Sequence, residues 1–169
     1  MFAVNYSTLR ENMKECFDRV ADGFETMIVT RKKTNMVVMS ENSYNSLMET
    51  VYLLGNKENH DHLMKSLEQY RNGGTSIHEM MEDKPMLLWT DEAWADYVYW
   101  QSQDRKTIKR INQLIKDIER SGNMQGIGKP EPLQYELQGF FSRRIDENNR
   151  LVYVKEGDAL TILSCRYHY

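Results

Sequence analysis

The stretch from residue 140 to residue 169, FFSRRIDENNRLVYVKEGDALTILSCRYHY, predicts three consecutive β-strands. Its three apolar runs occupy residues 140–145, 151–154 and 160–167. Two polar turns, residues 146–149 and 156–158, separate these runs. Because short polar turns join antiparallel neighbours, the end of the chain is expected to form an antiparallel sheet.

Two helices are predicted ahead of these strands, and a strand at residues 86–90 precedes both. Thr90 can cap the first helix, and Asp104 can cap the second, which has a continuous apolar stripe. The element order β-α-α-β-β-β over residues 86–169 indicates an α+β domain with two helices on one face of the sheet.

Residues 1–55 predict a smaller β-α-β-β-α unit. A short strand is followed by a helix that Ser7 can cap and that continues to about Asp22. A hairpin over residues 27–39 comes next, and Ser40 can cap a final helix that ends near Gly55. Since so small a unit rarely stabilises itself, residues 1–55 are expected to form a homodimer.

Residues 56–85 have a different character, with apolar side chains widely spaced along a polar and acidic segment. A segment of this composition folds on a partner or serves as a plain linker. The first alternative would use five apolar anchors, namely Leu63, Leu67, Tyr70, Ile77 and Met80.

The amino-acid composition limits the classes of protein to which this chain can belong. The net charge is −3, yet residues 105–169 hold 12 basic and 8 acidic residues, which suits a nucleic-acid partner. Without an apolar run of membrane-spanning length or a signal peptide, we expect a cytoplasmic protein that does not bind membranes. Cys16 and Cys165 suggest buried thiols, and His60 and His62 suggest solvated surface residues, so neither a metal nor a cofactor is expected.

Candidate chemistry concentrates in the last forty residues. Glu131 lies between two prolines that restrict its backbone, and His168 lies next to the chain end. Together they could act as a base and an acid. The guanidinium groups of Arg143, Arg144 and Arg150 suit a phosphate, and the terminal tyrosines can stack on bases.

Both halves of the chain resemble known families. Residues 1–85 resemble Phd/YefM-type antitoxins through a helix bearing Arg10, a hairpin reaching Arg31, and the stretches 36–40 and 44–50. Residues 86–169 resemble YoeB toxins of the RelE superfamily more closely. The motifs are Leu-Trp at 88–89, WADY at 94–97, GKPEPL at 128–133, SRRI at 142–145, RLVY at 150–153 and CRYHY at 165–169.

The toxin resemblance implies a ribosome-dependent endoribonuclease that cleaves mRNA without a metal. It implies Glu131 as the base, His168 as the acid and Arg150 as the group that stabilises the phosphate. Three further residues would bind RNA, namely Lys129, Arg144 and Tyr169. Gln134 departs from the pattern, because a lysine often follows the Glu-Pro-Leu motif in that family.

The antitoxin resemblance implies a dimer that binds the operator of its own operon through Arg10 and Arg31. Residues 56–85 would then neutralise the toxin half by contact. The family's two proteins are normally separate chains, whereas here residues 84–86 join the two parts in one continuous chain.

The alternative to a latent toxin is a non-enzymatic transcriptional repressor whose second half acts only as a co-repressor.

Overall fold

The computed structural model describes residues 1–23, 25–77 and 86–169. Its contacts divide the chain into two compact units, Met1–Leu47 and Met48–Tyr169. The division falls inside a helix, ahead of the boundary expected at residue 55. Met80, the last of the five expected anchors, lies outside the described residues. In the parts described, no helix is both long enough and apolar enough to cross a membrane.

The first unit contains a three-stranded sheet and two short helices. Its elements are β1 (Phe2–Asn5), α1 (Tyr6–Glu11), α2 (Met13–Ala21), β2 (Met27–Thr30), β3 (Met36–Val38) and the start of α3 (Glu41–Leu54). Strand β2 lies in the middle, parallel to β1 and antiparallel to β3. The small core contains Cys16, Val20, Met27 and Val29.

The single helix expected from Ser7 to Asp22 is wrong, because Asn12 interrupts it. Asn12 has φ −123° and ψ 35°, and its side-chain Nδ2 donates to the Thr8 carbonyl. An asparagine side chain competes with the helical backbone in this way. The cap of the first helix is Asn5, whose side chain accepts from the Thr8 N–H.

The second unit contains the larger sheet. Its elements are α4 (Lys57–Arg71), β4 (Thr75–Ile77), β5 (Leu87–Thr90), α5 (Asp91–Gln103), α6 (Arg105–Ser121), β6 (Glu131–Pro132), a 3₁₀ turn (Tyr135–Leu137), β7 (Phe141–Arg144), β8 (Arg150–Glu156) and β9 (Ala159–Ser164). The strand order is β4-β5-β9-β8-β7-β6. The predicted α+β class and the predicted caps Thr90 and Asp104 are confirmed. The short strands β4 and β6 are additions to the prediction.

The two faces of this sheet are covered by different parts of the chain. On one face Leu151 and Tyr153 pack against apolar side chains of α5 and α6, such as Tyr97 and Ile111. On the other face the alternate residues Val152 and Val154, with Leu163, pack against Leu53, Leu63 and Leu67. Residues 53–70 therefore form a second helical layer, over the face that α5 and α6 leave open.

The side chains of the expected apolar anchors are buried to different extents. Leu63 and Leu67 are fully buried, and the hydroxyl of half-buried Tyr70 donates to Glu156 at 2.9 Å. Ile77 remains 60% exposed, although its backbone pairs with Leu88 of β5. Ile77 thus contributes strand pairing rather than side-chain burial.

Arg143 is buried and structural, so its expected role as a phosphate-binding group is wrong. Its Nη1 contacts Asp117 Oδ2 at 2.6 Å, and its Nε donates to the Tyr153 hydroxyl at 2.9 Å. Its remaining donors reach the carbonyls of Gly122, Gln125 and Ile127. The guanidinium therefore organises the loop that leads from α6 to Glu131.

We predict that Asp117→Asn lowers the free energy of unfolding by about 3–5 kcal/mol, because Arg143 would keep its buried charge without an anion. Arg120 also contacts Asp117 but is 81% exposed, so Arg120→Gln should cost less than about 1 kcal/mol. Urea unfolding followed by tryptophan fluorescence measures both, since all three tryptophans lie in the second unit. Equal effects of the two variants would contradict this account.

Candidate active site

Strand register brings three of the predicted site residues to one face of the larger sheet. Glu131 of β6 lies opposite Ser142 of β7, and Arg144 of β7 lies opposite Arg150 of β8. Because side chains alternate along a strand, these residues share the face of Val152, which the α5–α6 pair does not cover. His168 and Tyr169 follow β9 and return towards this face.

Glu131 is half-buried and lies among charges of both signs. Removal from water raises the pKa of its carboxyl group, and the negative charge of Glu49 raises it further. Arg144 and Lys129 oppose this effect but do not cancel it. A carboxylate with a raised pKa is better suited to accept a proton near neutral pH.

Arg150 is only 6% exposed, and a carboxylate from α3 neutralises it. Its Nε donates to Glu49 Oε1 at 2.7 Å, and its Nη1 contacts the carbonyls of Asp146, Glu147 and Asn149 at 3.2 Å. The same Glu49 oxygen accepts from the Ser142 hydroxyl at 2.7 Å. Glu49 therefore occupies the position that an anionic ligand of Arg150 would take.

Aromatic rings connect Arg150 to the end of the chain. The Arg150 guanidinium lies 4.8 Å from the centre of the Tyr52 ring. Tyr52 in turn stacks on Tyr167 with ring centres 4.9 Å apart, and Tyr167 contacts Tyr169 at 5.0 Å. Tyr52 comes from α3, so this helix contacts the rings that lie next to the candidate acid His168.

His168 is held by three neighbours. Its Nε2 lies 2.8 Å from Asp96 Oδ1, and its backbone N–H donates to Asn59 Oδ1 at 3.1 Å. Its ring stacks on His62 with centres 3.8 Å apart. Asn59 and His62 belong to α4, so this helix contacts His168 directly.

Asp96 is an anion buried under the chain end. Burial pushes its pKa upward, but hydrogen bonds from His168 and His62 outweigh that effect and leave the pKa below its usual value. Asp96 Oδ2 also accepts from the Ser164 hydroxyl and the Cys165 N–H. The carboxylate is therefore fixed in position from both sides.

His62 is not the solvated surface residue that we expected. Its side chain is 9% exposed, and its Nε2 lies 3.1 Å from Asp96 Oδ2. The ligand atoms of His62, Asp96 and His168 all lie within 4.8 Å of one another, an arrangement that could hold a metal ion. His60, in contrast, is 39% exposed and contacts Asp61.

The remaining candidate residues are exposed. Lys129 and Arg144 lie on the surface beside Glu131, and Tyr169 is 76% exposed. The N–H of Gln134, the residue that departs from the toxin pattern, donates to Thr50 Oγ1 at 2.9 Å. In the first unit, Arg10 and Arg31 are exposed, and Arg31 lies 5.4 Å from the Tyr6 ring centre.

The predictions from sequence did not include four residues of this site as functional residues, namely Glu49, Asn59, His62 and Asp96. A signal exists for Asp96, since it lies on the same helical stripe as buried Ala93 and Tyr97. A carboxylate at such a position needs partners. Glu49 carries a similar but weaker signal, because it lies four residues before buried Leu53 on α3.

Comparison with known proteins identifies both halves. The sequence profile of the family described as YoeB-like toxin of bacterial type II toxin-antitoxin systems matches residues 89–169, and that of the Phd_YefM antitoxins matches residues 1–73. Toxin YoeB of Escherichia coli K12 is 54% identical over 83 residues, which are 98% of that protein and 49% of this chain. Antitoxin YefM of the same strain is 30% identical over its whole length.

The chain belongs to both families. It joins a YefM-type antitoxin and a YoeB-type toxin of a toxin–antitoxin system. A solved structure is also similar: one chain of a heterotetrameric YoeB–YefM complex from Staphylococcus aureus is 44% identical, with a TM-score of 0.50. The match covers all of that chain and 52% of this one. We accordingly call residues 86–169 the toxin half.

We predict that Glu49→Gln lowers the pKa of Glu131, because the variant removes a neighbouring negative charge. Arg144→Gln should shift it in the opposite direction, since a positive charge is lost. The measurement is an NMR titration of the full chain with ¹³C-labelled glutamate carboxyl groups. Glu58→Gln, on the exposed face of α4, should leave the Glu131 curve unchanged. A higher Glu131 pKa in the Glu49→Gln variant would disprove the prediction that the charge of Glu49 raises it.

Proposed function

We propose that the toxin half is a ribosome-dependent mRNA endoribonuclease and that residues 48–77 keep it inactive. We call residues 48–77 the neutralising segment; they begin ahead of the expected segment 56–85. The observation that carries the proposal is the buried ion pair between Glu49 of the segment and Arg150 of the toxin half. The family relationship supports the toxin assignment. The ion pair supports latency, because the guanidinium already has an anion.

The proposed reaction is an attack by a ribose 2′-hydroxyl on the adjacent phosphate. Glu131 takes the hydroxyl proton, and Arg150 stabilises the negative charge of the phosphorane. His168 gives a proton to the departing 5′-oxygen. The products are a 2′,3′-cyclic phosphate and a 5′-hydroxyl, and this route assigns no step to a metal ion.

Three exposed groups are available to hold the RNA. Lys129 and Arg144 place positive charge beside Glu131, where they can contact backbone phosphates. Tyr169 offers a ring for a base, since an aromatic side chain stacks on any base without sequence preference. Gln134 supplies no charge at the position where the family often has a lysine.

The neutralising segment would block this chemistry in two ways. Glu49 competes with the phosphate for Arg150, while Leu53, Leu63 and Leu67 cover the sheet face that the RNA would approach. Asn59 and His62 hold His168 from the other side. Asp96 belongs to the toxin half, so its contact with His168 does not itself require the segment.

For the first unit we propose homodimerisation and repression of its own operon. The support for a dimer is its small core beside exposed apolar side chains, among them Tyr6, Met13, Phe17, Val37 and Tyr44. Arg10 and Arg31 are exposed and free to approach phosphates, as the antitoxin resemblance implies. The mRNA on the ribosome and the operator DNA are thus the two proposed nucleic-acid partners.

We predict that residues 86–169, produced alone, cleave mRNA on programmed ribosomes, whereas the full chain does not. Glu131→Ala, Arg150→Ala and His168→Ala in the fragment should each reduce cleavage by at least about 100-fold, the usual contribution of a positioned acid or base or of a group that stabilises charge in the transition state. Primer extension measures the cut sites. Lys155→Ala is a matched control, because Lys155 contacts a backbone carbonyl of α6.

A folded fragment that does not cleave would overturn the nuclease proposal. It would favour the alternative, a repressor whose toxin half acts only as a co-repressor. Cleavage by the full chain at the rate of the fragment would overturn the proposed latency.

We predict that Arg10→Ala and Arg31→Ala each weaken binding to the DNA upstream of the coding sequence. Each variant should also lower the slope of log affinity against log salt concentration by about the amount that one phosphate contact contributes. Lys14→Ala is the control, since Lys14 is exposed but paired with Asp18. Fluorescence anisotropy across a salt series measures both quantities. Binding that is unchanged in both arginine variants would exclude this DNA surface.

A further inference from the structure

We propose that His62, Asp96 and His168 form a divalent transition-metal site, of the kind that takes Zn²⁺. Two imidazole nitrogens and one carboxylate oxygen are the ligand set of many three-ligand zinc sites. One ligand comes from the neutralising segment and two come from the toxin half. The complete site therefore exists only while α4 is docked.

The distances suit such an ion. His62 Nε2 lies 3.1 Å from Asp96 Oδ2, and His168 Nε2 lies 2.8 Å from Asp96 Oδ1. Zinc–ligand bonds of about 2.0–2.1 Å in tetrahedral geometry place neighbouring ligand atoms roughly 3.4 Å apart. The three ligand atoms therefore already lie near coordination spacing, and the two stacked imidazole rings must turn so that both Nε2 lone pairs point at one ion.

Groups around the three ligands provide the support that metal sites usually have. Asp96 is fixed by the Ser164 hydroxyl and the Cys165 N–H. Glu92 Oε2 lies 3.9 Å from His62 Nδ1, close to the position of a carboxylate that orients a metal-bound histidine. Glu92 is itself held by Lys65.

Access and charge also favour a cation. The His168 side chain is 25% exposed, which leaves a path for the ion and room for a water molecule as the fourth ligand. Asp96 contributes a full negative charge in a buried position, and Glu92 adds another nearby. The two imidazole nitrogens favour zinc and its neighbours in the first transition row, since magnesium and calcium prefer sets of oxygen ligands.

Metal binding would fasten the segment to the toxin half and occupy the Nε2 atom of His168. Any ion that binds only this docked form stabilises it by mass action. The coordination proposal rests on geometry alone. The consequence for latency rests on the proposed nuclease function, since it assumes that His168 donates a proton.

The test titrates the tag-free full chain, stripped with a chelator, with Co²⁺ and then displaces Co²⁺ with Zn²⁺. We expect one ion per chain, with the visible absorption typical of Co²⁺ bound by nitrogen and oxygen. His62→Ala should weaken the affinity by at least about 100-fold, the upper end of effects seen even for residues that only support a ligand. His60→Ala is the matched control on the same helix and should bind as the unaltered chain does.

His62→Cys provides a rescue variant, because a thiolate is also a zinc ligand. Thermal unfolding provides an independent readout: Zn²⁺ should raise the Tm of the unaltered chain, His60→Ala and His62→Cys, but not that of His62→Ala. Circular dichroism of each variant without metal checks that the variant is folded. The proposed metal site would be overturned if no one-to-one complex forms. It would also be overturned if His60→Ala and His62→Ala lose the same metal affinity. Neither readout involves RNA cleavage, so failure here is distinct from failure of the nuclease proposal.

Discussion

A buried guanidinium needs an anion beside it, and Arg150 has one in Glu49. The pair is isolated from water, and its two members lie 101 residues apart in sequence. Removing either partner would leave an uncompensated charge in the interior. The docking of residues 48–54 on the larger sheet is therefore set by charge as well as by apolar contacts. Any phosphate that reaches Arg150 must first displace a carboxylate that is already desolvated.

The alternation of side chains along β7 and β8 lets the same strands serve two purposes. Arg143 points into the layer of α5 and α6, where it organises the loop before Glu131. Arg144 and Arg150, one step out of phase, point to the opposite face. Three arginines that look equivalent in sequence thus divide into one that stabilises the fold and two that lie on the face of the candidate site, where Glu49 already pairs with Arg150. Register alone makes this division.

Local patterns in the sequence were sufficient for most of the secondary structure. The turns at residues 146–149 and 156–158 and the caps Thr90 and Asp104 depend on neighbours within a few residues, so they could be predicted. The break at Asn12 was missed because helical periodicity continues through it. Here a side-chain contact with the backbone outweighs an apolar stripe.

The candidate site could be predicted only in part. Glu131, Arg150 and His168 were accessible through family motifs, whereas their partners were not. His62 meets Asp96 across 34 residues, and Asn59 meets the His168 backbone across 109. No local pattern reports such contacts. A histidine without ligands near it in sequence therefore looked like a surface residue, although the fold buries it.

The outermost strand of the larger sheet has a consequence for association. Strand β4 belongs to the neutralising segment and pairs with β5, so it occupies what would otherwise be the open edge of the toxin half. An unpaired strand edge offers a ready template to a strand of another molecule. Departure of the segment would uncover that edge together with the sheet face of Glu131 and Arg150. The freed toxin half would then present an unpaired strand edge that favours self-association.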